Sequence, residues 1–130
     1  LLTLSQQAGD IRDLVCYHHY GIASENHPEY CQKLGEDMAD KWLMIMHNHG
    51  LLAAGRTVGE AFYFLYTLEN SCKIQTDIVS GVEYYLPDEE AIKELAQTTR
   101  PKGDRPCDDI YIAWDAMIRM QDQQDSSYKN

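Results

Sequence analysis

What this chain lacks narrows it first. No apolar run among its 130 residues approaches the roughly 20 that a membrane-spanning helix needs. Residues 1–4 have neither the basic flank nor the length of a secretory signal. Position 1 is not methionine, so a removed start or a piece of a longer chain is expected. Basic residues are few, 11 against 21 carboxylates for a formal net charge of −10, and they form no cluster. A nucleic-acid or anionic-membrane partner is therefore not expected, and the acidic excess reads as a solvated surface. The four cysteines (Cys16, Cys31, Cys72, Cys107) make no C-x-x-C pair. They read as reduced thiols of a cytoplasmic protein, with Cys16 and Cys72 expected buried among apolar neighbours. The zincin H-E-x-x-H, the P-loop, the dinucleotide G-x-G-x-x-G and the G-x-S-x-G elbow are all missing. Serine or cysteine nucleophile chemistry has no local support.

What is present is organised around residues 42–62. An apolar run of strand type, residues 42–46, leads into a polar turn with His47 and His49. Its short, continuous apolar character predicts a fully buried strand. Residues 51–54 read as the next strand. In an extended segment His47 and His49 would project from one face, a geometry that allows a shared metal. Gly50 beside them would let backbone come close. The opposing reading is that strand-end histidines are hydrogen-bonded structural residues.

The remaining segments frame this centre. Residues 1–5 read as an edge strand, and Val15, Cys16 and Tyr17 as a strand entering a polar aromatic turn, residues 17–21. Pro28 marks a helix start with Asn26 or His27 as cap. That helix is expected to bury Tyr30, Cys31 and Leu34 and to stop near Gly35. Thr57-x-x-Glu60 has the form of a capping box. It opens a helix to about Ile78 whose inward stripe is Val58, Ala61, Phe62, Leu65, Leu68 and Cys72. Pro87-Asp88-Glu89-Glu90 opens another helix, with Ile92, Leu95 and Ala96 inward. Residues 98–106 read as a loop. Asp108 or Asp109 caps a last helix carrying Ile110, Trp114, Met117, Ile118 and Met120, and residues 121–130 form a mobile or docking tail. The length fits one domain, and strands alternating with helices give an α/β or α+β class with helices covering a sheet.

Several motifs together resemble the class II aldolase/adducin family. They are Asn48-His49-Gly50-Leu51-Leu52, then Gly55-Arg56-Thr57-Val58-Gly59-Glu60-Ala61-Phe62, and Leu68-Glu69-x-x-Cys72-x-Ile74-Gln75. Residues 15–23 and the terminal stretch from Trp114 to Tyr128 are similar to the shorter, adducin-like members. The resemblance implies α/β/α layers with a central, largely antiparallel sheet between helices. It implies a divalent metal, usually zinc, held by three histidines to stabilise the enediolate of a phosphorylated sugar or a related carbonyl substrate. His49 matches the last of those ligands, while His47 falls on no ligand position. Tyr17 matches the tyrosine that contributes a proton across a subunit boundary in the aldolases, with Tyr20 as aromatic companion.

The family's H-x-H pair, catalytic glutamate and phosphate loop are not in this sequence. The resemblance thus places residues 1–130 as the C-terminal part of one domain, whose N-terminal half would be its partner. The implied function is a metal-dependent lyase, with a related epimerase or dehydratase activity open, in a cytoplasmic homo-oligomer such as a tetramer. The fragment alone would be inactive, since a catalytic zinc needs at least three protein ligands. The alternative is a non-catalytic adducin-like oligomerisation or binding module.

Overall fold

A computed structural model describes residues 1–19, 27–78, 81–99 and 108–129. Residues 1–4 are not a strand; Ser5 instead caps a short helix, α1 (Gln6–Ile11), its hydroxyl accepting from Ala8 N at 3.1 Å. A 3-10 turn (Arg12–Leu14) leads into β1 (Val15–His18). Helix α2 (Pro28–Met38) follows, then β2 (Leu43–Met46), β3 (Gly50–Ala53), α3 (Val58–Asp77), α4 (Glu89–Thr99) and α5 (Asp108–Gln124).

The three strands lie in the order β1-β2-β3. β1 runs parallel to β2, with Val15 opposite Leu43 and His18 opposite Met46. β2 and β3 form an antiparallel hairpin, with Leu43 opposite Ala53 and Met46 opposite Gly50. Because alternate residues point to opposite faces, Val15, Leu43, Ile45, Leu51 and Ala53 share one face. That face packs into a core of Ile11, Leu14, Leu43, Phe64, Leu68 and Ile110, all buried. Trp42 meets Phe64 edge to face, with ring centroids 5.7 Å apart. Burying a side chain such as Phe64 contributes on the order of 1.5–3 kcal/mol. The opposite face carries Cys16, His18, Met44 and Met46, and α2 packs on it along β1, with the Cys16 thiol against Met38 Sδ at 3.9 Å. Helices thus cover both faces, the layering expected of the α/β class.

Several elements differ from the sequence expectation. The buried strand begins at Leu43; only Leu43 and Met44 are fully enclosed, and Ile45 and Met46 are half-buried where the sheet runs out toward the turn. Tyr17 and His18 belong to β1 rather than to a turn. Helix α2 continues past Gly35 to Met38, Cys31 is exposed, and no residue of α2 is fully buried, because the helix covers the sheet margin. Its N-cap is His27, without a side-chain capping bond.

The inward stripe of α3 is rotated from the expected one. Gly59, Glu60, Phe64, Thr67, Leu68 and Ser71 are buried, whereas Val58, Phe62 and Leu65 are 75%, 38% and 37% exposed. Glycine and small hydroxyl residues let α3 lie close to its neighbours, so its tightest face is not its most apolar one. An added Cβ at Gly59 would stand 2.9 Å from the Trp114 ring of α5. In α5 Ile110 is buried, Trp114 and Ile118 are partly so, and Met117 and Met120 are exposed. The expected tail is in part helix. α5 runs to Gln124, and a 3-10 turn (Ser127–Lys129) folds back so that Tyr128 Oη donates to Asp122 at 2.6 Å. Ile92 and Ala96 of α4 are buried as expected, facing α1. The expected loop overlaps α4 at Thr98 and Thr99; its residues 100–106, with Tyr20, Asn26 and Cys107, lie outside the described residues. No described helix is long and apolar enough to cross a membrane.

Candidate functional site

The hairpin turn between β2 and β3 holds His47, Asn48 and His49, all exposed. Asn48 has φ 55°, the left-handed region that asparagine tolerates better than most residues. His49 N donates to Met46 O at 3.2 Å, closing the turn. The segment is therefore not extended, and the expectation that His47 and His49 share a strand face does not apply here. A Cβ at Gly50 would meet nothing within 4 Å, so no described group makes the expected close approach.

The hairpin register also decides where β3 directs its backbone. Ala54 N donates to Trp42 O at 2.7 Å, and in an antiparallel ladder bonded pairs alternate with non-bonded ones. Met44 with Leu52 and Met46 with Gly50 are then the bonded pairs. Leu51 and Ala53 turn their N–H and C=O groups away from β2. β3 is an edge strand, and nothing among the described residues bonds to these groups.

The end of β1 lies beside this turn. Its Tyr17 ring stacks near His19 with centroids 6.2 Å apart, and His19 meets His47 edge-on at 5.7 Å. Tyr17 is 44% exposed, and Leu1's amino group donates to its hydroxyl. Partial burial, with Cys72 of α3 nearby, raises the phenol above its ordinary range, so at neutral pH it holds its proton. Burial likewise raises the Cys16 and Cys72 thiols, which suits inert packing rather than reactivity.

On the other face of β1, His18 is buried with Nδ1 2.9 Å from Asp37 Oδ2 of α2. An ionised carboxylate can only accept, so Nδ1 carries the proton. Lys33 Nζ stands 3.2 Å from the other oxygen of Asp37. The bond from His18 first, and Lys33 second, hold that carboxyl below the usual carboxylate range. Sequence reading singled out neither member in this role, since 19 residues and a change of element separate them.

Glu60 was also underestimated. Thr57 caps α3 as expected, its hydroxyl accepting from Glu60 N at 3.2 Å. The Glu60 carboxylate accepts from Arg56 N at 2.8 Å, and it is fully buried. Arg56 Nη2 also donates to it at 2.7 Å, while the guanidinium lies 5.8 Å from the Trp42 ring centroid. These bonds hold Glu60 below its usual range. Gly55 lets the chain turn tightly here, since a Cβ there would fall 2.5 Å from Ala61 N.

The described residues do not fit a complete metal centre. No three His, Cys, Asp or Glu side chains among them converge, and His49 stands as a single ligand type on an exposed turn. Four-coordinate catalytic zinc takes three protein ligands, so the remainder would have to come from outside the described residues.

An α/β chain with a histidine-bearing hairpin turn beside a strand-end tyrosine is the class that these observations define. Residues 1–76 match the family described as Class II Aldolase and Adducin N-terminal domain, and the chain belongs to the class II aldolase/adducin family. It is 31% identical over 137 residues to a Pseudomonas aeruginosa protein named for aldolase class 2, covering 99% of this chain and 50% of that protein. It is 29% identical to an adducin-related protein of Schizosaccharomyces pombe, covering 99% of this chain and 40% of that one. Mouse gamma-adducin is 29% identical over 62% of this chain and 11% of its own length. The crystal structure of an aldolase II superfamily protein from Pseudomonas syringae superposes with a TM-score of 0.84 at 33% identity, covering all of this chain and 51% of that one. L-fuculose 1-phosphate aldolase from Glaciozyma antarctica, at 21% identity and a TM-score of 0.62 over 75% of this chain and 36% of its own, shares the fold. The chain thus spans about half the length of the full-length bacterial relative.

Proposed function

We propose that this chain is the C-terminal part of a class II aldolase-type lyase acting on a phosphorylated sugar or a related carbonyl substrate. What carries the reading is the pairing of an exposed His49, on the turn that opens β3, with Tyr17 at the end of β1. The N-terminal half of the domain would supply the other ligands. The edge of β3, where Leu51 and Ala53 direct outward backbone groups that no described residue bonds, is a fitting place for its strand to add. A divalent metal, with zinc as the first candidate, would supply Lewis-acid polarisation of the substrate carbonyl when bound. His49 would be one of its ligands and His47 a neighbour outside the ligand set. Tyr17 would hold a proton at Oη, and its raised titration range keeps that proton in place at neutral pH. Its exposure suits donation to the site of a neighbouring subunit in a cytoplasmic homo-oligomer, for which a tetramer is one arrangement.

Cleavage of a panel of sugar 1-phosphates by the full native reading frame, with coupled detection of the released carbonyl product, tests this. Wild-type activity should fall by roughly 10²–10⁴ in kcat in Tyr17→Phe, the usual worth of a positioned acid, with KM little changed. A folded, metal-supplied protein that cleaves nothing in the panel would favour the second reading, a non-catalytic adducin-like oligomerisation or binding module. The likeness to adducin-related proteins supports that alternative, because a fold does not carry its chemistry with it.

A further inference from the structure

The four residues of β1 give the sheet little reason to prefer one register. Val15 and Cys16 are both half-buried on opposite faces, so a one-residue slip would exchange two apolar side chains of similar burial. The same slip would move Tyr17 to the α2 face and away from the hairpin turn with His47. The polar end of the strand is where the two registers differ. His18 is buried, its Nδ1 bonded to Asp37 of α2, and its backbone carbonyl accepts the N–H of His47 at 2.9 Å. One residue therefore ties three elements together: α2 through its ring, the hairpin turn through its carbonyl, and Tyr17 as its neighbour on the chain. A charge-assisted bond in a partly enclosed setting is directional in a way that apolar contact is not.

We propose that the His18–Asp37 pair is a positioning element for the candidate site, fixing Tyr17 and the His47–Asn48–His49 turn in their mutual placement. The geometric claim stands on contacts within this chain, and only its consequence for metal binding rests on the reading above. Lys33 also reaches Asp37, with Nζ 3.2 Å from the carboxylate's other oxygen one turn away on α2.

The experiment uses the full native reading frame with His18→Leu, which removes the ring N–H, and His18→Asn, which returns a donor near the Nδ1 position. Lys33→Met is the control. Three quantities are read: amide exchange of His47, the titration of ¹³C-labelled Tyr17 assigned by Tyr17→Phe, and zinc affinity at the His49 site. In a His18→Leu protein that still melts cooperatively, His47 exchange should rise about tenfold or more and the Tyr17 titration should move toward that of free phenol. Zinc affinity should fall about tenfold, the low end for losing an outer supporting bond. His18→Asn should restore all three to within about threefold, and Lys33→Met should leave them unchanged. Should His18→Leu fail to fold, the comparison of His18→Asn with Asp37→Ala decides, the first near wild type and the second altered. Unchanged exchange and titration in a folded His18→Leu, or no restoration by asparagine, overturns the proposal. A wild type that binds no zinc sinks the lyase reading alone, since the exchange and titration arms do not depend on metal.

Discussion

Replacing Arg56 by methionine isolates the buried charge at the head of α3. Glu60 is fully buried, and its carboxylate takes the Arg56 backbone N–H at 2.8 Å, Nη2 at 2.7 Å and Nε at 3.2 Å. Arg56→Met keeps the first of these bonds and a stem against Trp42, but removes the countercharge. Leaving a buried charge without its partner costs about 3–5 kcal/mol, and the partly exposed guanidinium places this pair near 3. The pH dependence follows from the depressed Glu60 titration. A carboxyl whose folded range lies below its unfolded one adds stability above the unfolded pKa and loses it as pH falls through the folded value. The pair should therefore be at full strength near pH 7 and fade below about pH 4. Urea unfolding of wild type and Arg56→Met at both pH values measures the difference. The expectation is a gap of about 3 kcal/mol at neutral pH that narrows on acidification. A neutral-pH gap under about 0.5 kcal/mol, or one independent of pH, would refute the assignment of Glu60 as a paired buried carboxylate.

Other substitutions test the packing. Gly55→Ala sets a Cβ 2.5 Å from backbone that cannot swing aside, so a loss near the upper end of the ~1–3 kcal/mol overpacking range is expected in urea unfolding. Phe64→Ala empties the centre of the core and should cost about 3–5 kcal/mol, read as a lower denaturation midpoint at unchanged slope. Ala39, at the end of α2, has φ 43°, and Ala39→Gly should leave stability level or raise it by about 0.5 kcal/mol.

How much of this was legible in the sequence depended on whether the signal was local. Thr57-x-x-Glu60 announced the start of α3 because a cap and its bonds lie within four residues. The hairpin could be read because two apolar runs flank three polar residues. The face of α3 could not, because burial there follows close approach at Gly59 and Ser71 rather than apolar content. Helix α1 was missed because six residues with little periodicity are held by packing on α3 and α4. The His18–Asp37 pair was hidden for a related reason: sequence spacing says nothing about which helix a strand-end histidine will face. His49 and Tyr17 were reached through family resemblance; the residues alone left them as turn and packing groups.

The most direct test of the account is metal content per subunit of the full native reading frame, purified under native conditions beside His49→Ala. The account predicts close to one divalent ion per subunit, lost in His49→Ala while fold and oligomeric state persist. A folded wild type without metal that also takes up no added zinc would contradict it.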